Sequence, residues 1–490
     1  MTTSYFRAAA ALVALLAVQT SAAAAQGVRG SVQSTTSYVE LRPLTRDTID
    51  RALVTQTAIG TFTFDGLPVS CGDATCTVFR SGSVQHSLQS VHDLSLTAWG
   101  LGVQGLSTTV LLRGRTHLSG EFRMPRSDES FEAILAYAEL VRGIVRVRAG
   151  RQRVTSGLGF NGFDGVDVIL EPSRRLHAEA YFGRSLARAV QQPLAQAFQA
   201  VDERDFVNDR DAYLVGAEAG YETAGGSSVA LRYQGEIWSD RAGLLSERAL
   251  LVARTAELQP VVLSAAAEYD VGYGRFGKAH VDALLPLPVA GMRLEATVRR
   301  YVPFFEYWTI WGLFSPVAYH EVELRTSYTA DGGLGVWGSG AYRRYEPHNT
   351  QTFLEPLEGR SVRTGLGAQW QRDRLRADAA VRMEGPVGAF SVAGDAAVQW
   401  RVTPRVDVSL HTLIAQQIEE FRVGAGVVAG GGLGANMQLR DDLHVDGGFA
   451  MYHQTQQDRP GRSDWTQQRG WLSLRLAIGR DPGRARGGGP

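Results

Sequence analysis

The chain has 490 residues, with 50 basic and 50 acidic side chains, 55 glycines and two cysteines. Balanced charge excludes the basic footprint that nucleic-acid binding requires. The length would hold several soluble domains, but no stretch has the composition of a flexible linker, so one continuous architecture is expected. The basic groups are almost all guanidinium, Lys278 being the one lysine.

Residues 1–25 read as a secretory signal. Arg7 supplies a positive charge, the apolar run "AAAALVALLAV" follows, and small residues lead to an A-x-A site at Ala23–Ala25. The apolar run is shorter than the roughly 20 residues a spanning helix needs. Residues 26–480 are therefore expected to be exported, with 481–490 a flexible tail. A first strand near Val28–Arg42 leaves little room for a plug domain ahead of it.

The segment Pro43–Ser87 reads as a long first loop, and it carries Cys71 and Cys76 in "CGDATC". In an oxidising compartment that spacing points to a disulfide across a small loop. Zinc would require further ligands, and no histidine pair stands near, so no metal is expected.

Beyond this loop the chain alternates with a period of two. In Met292–Tyr301, Met292, Leu294, Ala296 and Val298 alternate with Arg293, Glu295, Thr297 and Arg299. In Arg374–Glu384, Leu375, Ala377, Ala379 and Val381 alternate with Arg374, Arg376, Asp378 and Arg382. Successive strand residues point to opposite faces, so each segment has one apolar and one polar face. Segments of this kind, about 9–11 residues long, match the length a tilted strand needs to cross a bilayer. Short connections such as Arg142–Gly143, Ala330–Gly333 and Arg372–Asp373 take turns with long ones such as Arg184–Asp211, Val302–Val317 and Pro347–Glu358. The pattern threads as about 22 strands (18–22) with both termini on the short-turn side.

On these features the chain resembles outer-membrane β-barrel proteins of the porin type. That resemblance implies an all-β fold, a closed antiparallel transmembrane barrel with short periplasmic turns and long outer loops. A local stretch, Gly150, Arg151 and Gln152 followed by Phe163, Asp164 and Gly165, is similar to the G-R-Q…F-D-G stretch of alginate-export-like porins. Ser156–Gly162 between them reads as a glycine-rich loop. The basic lumen implied by such exporters has no counterpart in this balanced composition. The last strand, "GWLSLRLAIG", places Ile478 where outer-membrane proteins usually end in an aromatic residue.

The outer loop Pro303–Pro316 holds Phe304, Phe305, Trp308, Trp311 and Phe314. It is expected to fold over the barrel mouth and narrow it, either by packing on the wall or as a stacking platform for solutes. Tyr301 and Tyr319 on either side are expected at the membrane interface, which favours rings with one wet end.

Two inward rows contain the residue types of hydrolases, Asp407–Ser409–His411 and Lys278–His280–Asp282. Residues two apart on a strand lie about 7 Å apart, beyond the reach of a nucleophile and its base. No enzyme activity and no cofactor are expected. The inward polar faces give the expected pore lining: Arg146, Arg148, Arg232, Glu236, Arg293, Glu295, Arg299, Glu321, Glu323, Arg325, Arg376, Asp378 and Arg382. A lumen of mixed sign implies a passive channel for small polar solutes with weak charge selectivity. The alternatives are a non-conducting structural or adhesive barrel and a polysaccharide exporter. The expected partners are outer-membrane lipid and small polar solutes. Oligomeric state is left open.

Overall fold

The computed structural model describes residues 27–42, 44–56, 62–64, 67–121, 130–186, 212–239, 243–272, 274–302, 318–346, 359–385, 391–417, 426–456 and 464–479. Twenty-two of its strands form one antiparallel sheet. The sheet closes on itself, because Gly27–Leu41 pairs with Trp465–Ile478 on one side and with Gln85–Trp99 on the other. Closure leaves no edge, which is the condition for a sheet to stand in hydrocarbon.

The alternation seen in the sequence sets the two faces. Val298, Val322, Tyr342 and Val362 lie directly opposite one another on four successive strands, and each is about half exposed. Leu366 and Leu472 are 70% and 60% exposed on the same side. So much bare apolar surface would drive association in water, whereas in a bilayer it is the solvated face. Aromatic residues mark both rims of this face. Phe182 stacks on Tyr213 at 5.7 Å and Tyr269 meets Phe276 edge-on at 5.3 Å toward one rim. Tyr221, Tyr328 and Trp400 are exposed toward the other. Such girdles belong at the two headgroup levels.

At one end the strands join through short turns, among them 143–144, 174–175, 373–374, 404–405 and 441–442. The longest connections, 42–84, 186–211, 302–318 and 346–359, are all at the other end. The strands Gly27–Leu41 and Trp465–Ile478 begin and finish at the short-turn end, so that end is periplasmic and the long connections are outside. The chain is a transmembrane β-barrel of the outer-membrane type.

Two segments read as loops are ordered. The barrel resumes at Gln85, and the preceding excursion carries its own strands. Leu44–Asp50, Thr75–Ser81 and Ser70–Cys71 form one small sheet, and Thr55–Gln56, Phe62–Phe64 and Leu67–Pro68 form another. Ile49, Val69, Cys76 and Val78 make a buried core there. Cys71 and Cys76 are directly opposite partners, bridged by a disulfide with their Cα atoms 3.9 Å apart. Strands of two or three residues are too short to show a period, which is why the sequence reads as loop. The second segment, Ser156–Gly162, is the top of a hairpin: Val145–Ser156 and Gly159–Ser173 stay paired up to a turn at 157–158.

Candidate functional site

That hairpin is the first component of the site. Phe131–Arg142 pairs with it only through Ala136–Arg142, and Leu176–Ser185 meets it only from Phe163 downward. Residues 154–161 are therefore paired only with each other, past the last wall contact, which the Leu186 N–H makes to the Gly162 carbonyl at 2.8 Å. The tip reaches strands Ser228–Trp238 and Leu244–Thr255, which are not its neighbours in the sheet. A methyl group at Gly157 would overlap the Leu250 side chain and lie 3.5 Å from the Arg232 guanidinium. Leu158 at the turn is buried, as are Leu250 and Arg248. The hairpin thus folds into the lumen.

The G-R-Q and F-D-G residues form the base of this fold. Gly150 lies opposite Gly165, Arg151 opposite Asp164 and Gln152 opposite Phe163. Gly150 has φ +125°, and a side chain there would strike the Ala136 carbonyl oxygen. Arg151 clasps Asp164 through two hydrogen bonds of 2.8 and 2.7 Å and donates a third to the Ala133 carbonyl. The Gln152 amide donates to the Gly165 carbonyl at 3.1 Å. Phe163, Tyr181 and Leu214 pack as an apolar patch on the lumen face below the tip.

The opposite wall carries a belt of charge. Glu321 is fully buried among Arg299, Arg343 and Arg363 at 3.0, 2.9 and 3.0 Å. Glu323 joins Arg299 at 2.7 Å and Arg363 at 3.5 Å, and Arg343 continues to Glu384 at 2.8 Å. Near the outer end of the same face Tyr301 and Tyr319 stack at 5.0 Å, with Arg343 4.0 Å from the Tyr319 ring. The interface position expected for these tyrosines is corrected: they share the parity of Arg299 and Glu321 and so face the lumen.

Beside the belt lies a cavity of about 620 Å³. Arg325 stacks over the Trp337 ring at 4.5 Å. The indole lies against Gly365 and Gly367 of the next strand, where a side chain at Gly367 would overlap it and one at Gly365 would crowd it. Arg376, Asp378, Arg382 and Asp395 complete the polar wall, with Arg382 and Asp395 3.0 Å apart.

The remaining residues singled out from sequence also lie on the face opposite the exposed apolar rows. Arg146 is 3.7 Å from Glu171, and Arg148 bridges Glu139 at 2.7 Å and Asp167 at 3.5 Å. Arg232 is 2.6 Å from Glu218. Glu236 is buried and accepts a hydrogen bond of 3.1 Å from Ser185. Glu295 lies opposite Arg325, and Arg293 opposite Ser327. Phe304, Phe305, Trp308, Trp311 and Phe314 fall outside the described residues. Sequence reasoning missed Trp337, Arg343, Arg363 and the hairpin tip. Trp337 sits in "GVWGSGAY", where glycines blur the alternation that marks the other strands.

Of the two hydrolase-like rows, the first is engaged with residues outside it. Asp407 is 3.4 Å from Arg401, and the His411 ring is 3.5 Å from the Tyr452 hydroxyl. His280 and Asp282 stand 3.5 Å apart. Among the described residues no group of three or more His, Cys, Asp or Glu could hold a metal ion.

No protein-family model matches the chain, and no curated protein does. Solved structures that resemble it include OccAB2 of Acinetobacter baumannii, 7% identical, with a TM-score of 0.40 over 92% of this chain and 98% of that one. The outer membrane protein OprD from Pseudomonas aeruginosa is 9% identical, with a TM-score of 0.39 over 93% and 95%. The siderophore receptor PirA from Pseudomonas aeruginosa is 10% identical, with a TM-score of 0.45 over 92% and 80%. The closed barrel is established independently of these, by its own strand ladder.

Proposed function

We propose that the barrel is a passive outer-membrane channel for small polar solutes, with weak preference between anions and cations. The observation that carries this reading is the pairing of opposite charges on the lumen face. Arg113 with Asp93, Arg115 with Glu132, Arg148 with Glu139, Arg232 with Glu218 and Arg299 with Glu321 recur around the wall. A lumen of one sign concentrates the opposite ion, whereas locally cancelled charge leaves a transverse field with little net attraction for either. Such a field orients dipolar and zwitterionic solutes. The recess at Trp337, Arg325 and Asp378 is lined by an indole, the guanidinium stacked on it and a carboxylate, so both signs of charge suit a compact hydroxylated or zwitterionic molecule.

Swelling of proteoliposomes tests the reading. Vesicles holding the barrel should admit small sugars and amino acids and exclude long oligosaccharides. Admission of nothing would support a structural or adhesive barrel. Selective passage of anionic oligosaccharide would support an exporter.

A further inference from the structure

The lipid-facing surface ends at the outer rim in a row of cationic side chains. Val298, Val322, Tyr342 and Val362 form the last apolar row described above. Two residues further out on the same face, Arg300 lies opposite His320, His320 opposite Arg344, and Arg344 opposite Arg360. The parity is that of the exposed apolar residues, so these side chains point away from the lumen. Glu346 serves one end of the row: Arg300 grips it through bonds of 2.8 and 3.3 Å, and His320 stands 3.0 Å from it. Among the described residues, Arg344 and Arg360 have no carboxylate partner.

Two like charges directly opposite each other on a sheet repel and destabilise the pair. Here both are guanidinium groups, both exposed, and they flank a recess of about 380 Å³ lined by Tyr342, Arg344, Gly359 and Arg360. Among the described residues, nothing lies within 4 Å of the place a side chain at Gly359 would take. An anion seated between the two guanidiniums would convert the repulsion into two charge-assisted bonds. The level of the recess names the source. It adjoins the apolar band at its outer end, where headgroups lie against the wall.

We propose that Arg344 and Arg360 bind the phosphate of an outer-leaflet lipid headgroup, with Tyr342 packing against the glycerol or sugar beneath it. Guanidinium suits this task because its planar fork matches phosphate oxygens in pairs. A basic group near a membrane surface strengthens anionic-lipid binding about fivefold, so the pair should give about twenty-five-fold.

The test uses the intact barrel in detergent micelles, with native mass spectrometry to count retained lipid. Dilauroyl phosphatidic acid is compared with dilauroyl phosphatidylcholine and with inorganic phosphate. Wild type should retain phosphatidic acid about twenty-five-fold better than phosphatidylcholine, and inorganic phosphate should not compete at millimolar concentration. The double variant Arg344→Gln, Arg360→Gln should lose the preference while keeping wild-type conductance, since both residues face away from the lumen. Should that variant fold poorly, Arg344→Glu supplies a cross-strand partner for Arg360 and should also abolish the preference. Equal retention of both lipids, full preference in either variant, or displacement by inorganic phosphate would overturn the assignment.

Discussion

Gly150 and Gly165 face each other across one rung of the hairpin, close to where it leaves the barrel wall and turns into the lumen. Because a side chain at Gly150 would strike the Ala136 carbonyl and one at Gly165 the Phe182 carbonyl, the two strands can bend there only if both positions are bare. Arg151 and Asp164, one rung further, lock the bend with paired hydrogen bonds.

The hairpin tip should therefore set the bore. Replacing residues 154–161 with a two-residue Asn-Gly turn should raise single-channel conductance by roughly twofold or more, because the deleted tip spans part of the lumen. Gly150→Val should instead destabilise the barrel, since a branched side chain cannot adopt φ +125° without strain. An unchanged conductance in the deletion variant would show that the tip is not the constriction.

The bridge between Cys71 and Cys76 should hold only the excursion together. Thiol labelling of denatured, unreduced protein should be negligible. After reduction, an impermeant maleimide should label Cys71 on intact cells, because the excursion is outside, whereas Cys76 is buried and should react only on unfolding. Cys71→Ser with Cys76→Ser should leave the barrel's melting temperature unchanged, as a five-residue separation closes little chain entropy beyond its own surroundings. A large drop in melting temperature would mean that the excursion braces the barrel.

The charge belt hinges on Glu321. Glu321→Gln leaves Arg299, Arg343 and Arg363 sharing one carboxylate fewer. Removing one partner of a buried pair costs about 3–5 kcal/mol, and the low end applies because Arg299 and Arg363 are about one-third solvated. Urea unfolding in vesicles should show a loss of roughly 3 kcal/mol. A salt gradient should also reveal a modest shift toward anions. Loss of stability without any shift in selectivity would place the belt outside the conducting path.

Much of the fold was legible because lipid and lumen impose a strict alternation on each strand. "RLEATVR" at Arg293–Arg299 shows it without interruption, and the strand count, the closure and the position of the short turns follow. The alternation also extends through Tyr301 and Tyr319, so their lumen-facing orientation was available by counting from Arg299 and Glu321. The preference of tyrosine for interfaces concealed it. The in-folded hairpin was legible only as a motif, since nothing local states that residues 154–161 abandon both neighbouring strands. The recess at Trp337 depends on two glycines of the next strand, a relation between segments that a period of two does not encode.

Acid should loosen the outer rim through Glu346. The Arg300 guanidinium, hydrogen-bonded to it, holds its carboxyl below the ordinary value of 4.5. A lowered folded-state value means the contribution is fully present above pH 4.5 and fades as pH falls through the lowered value. Wild-type barrel should thus lose melting temperature on acidification below pH 4.5, and Glu346→Gln should lose less over the same window. Identical acid profiles for the two would remove Glu346 from the account.

Single-channel recording of the purified barrel in a planar bilayer tests the proposed channel most directly. A tenfold salt gradient should give an open, ohmic conductance with a reversal potential close to zero, because opposite charges cancel along the lumen wall. A reversal potential near the limit for a pure anion pore would contradict balanced selectivity. Correctly inserted barrels that pass no current would contradict the channel itself.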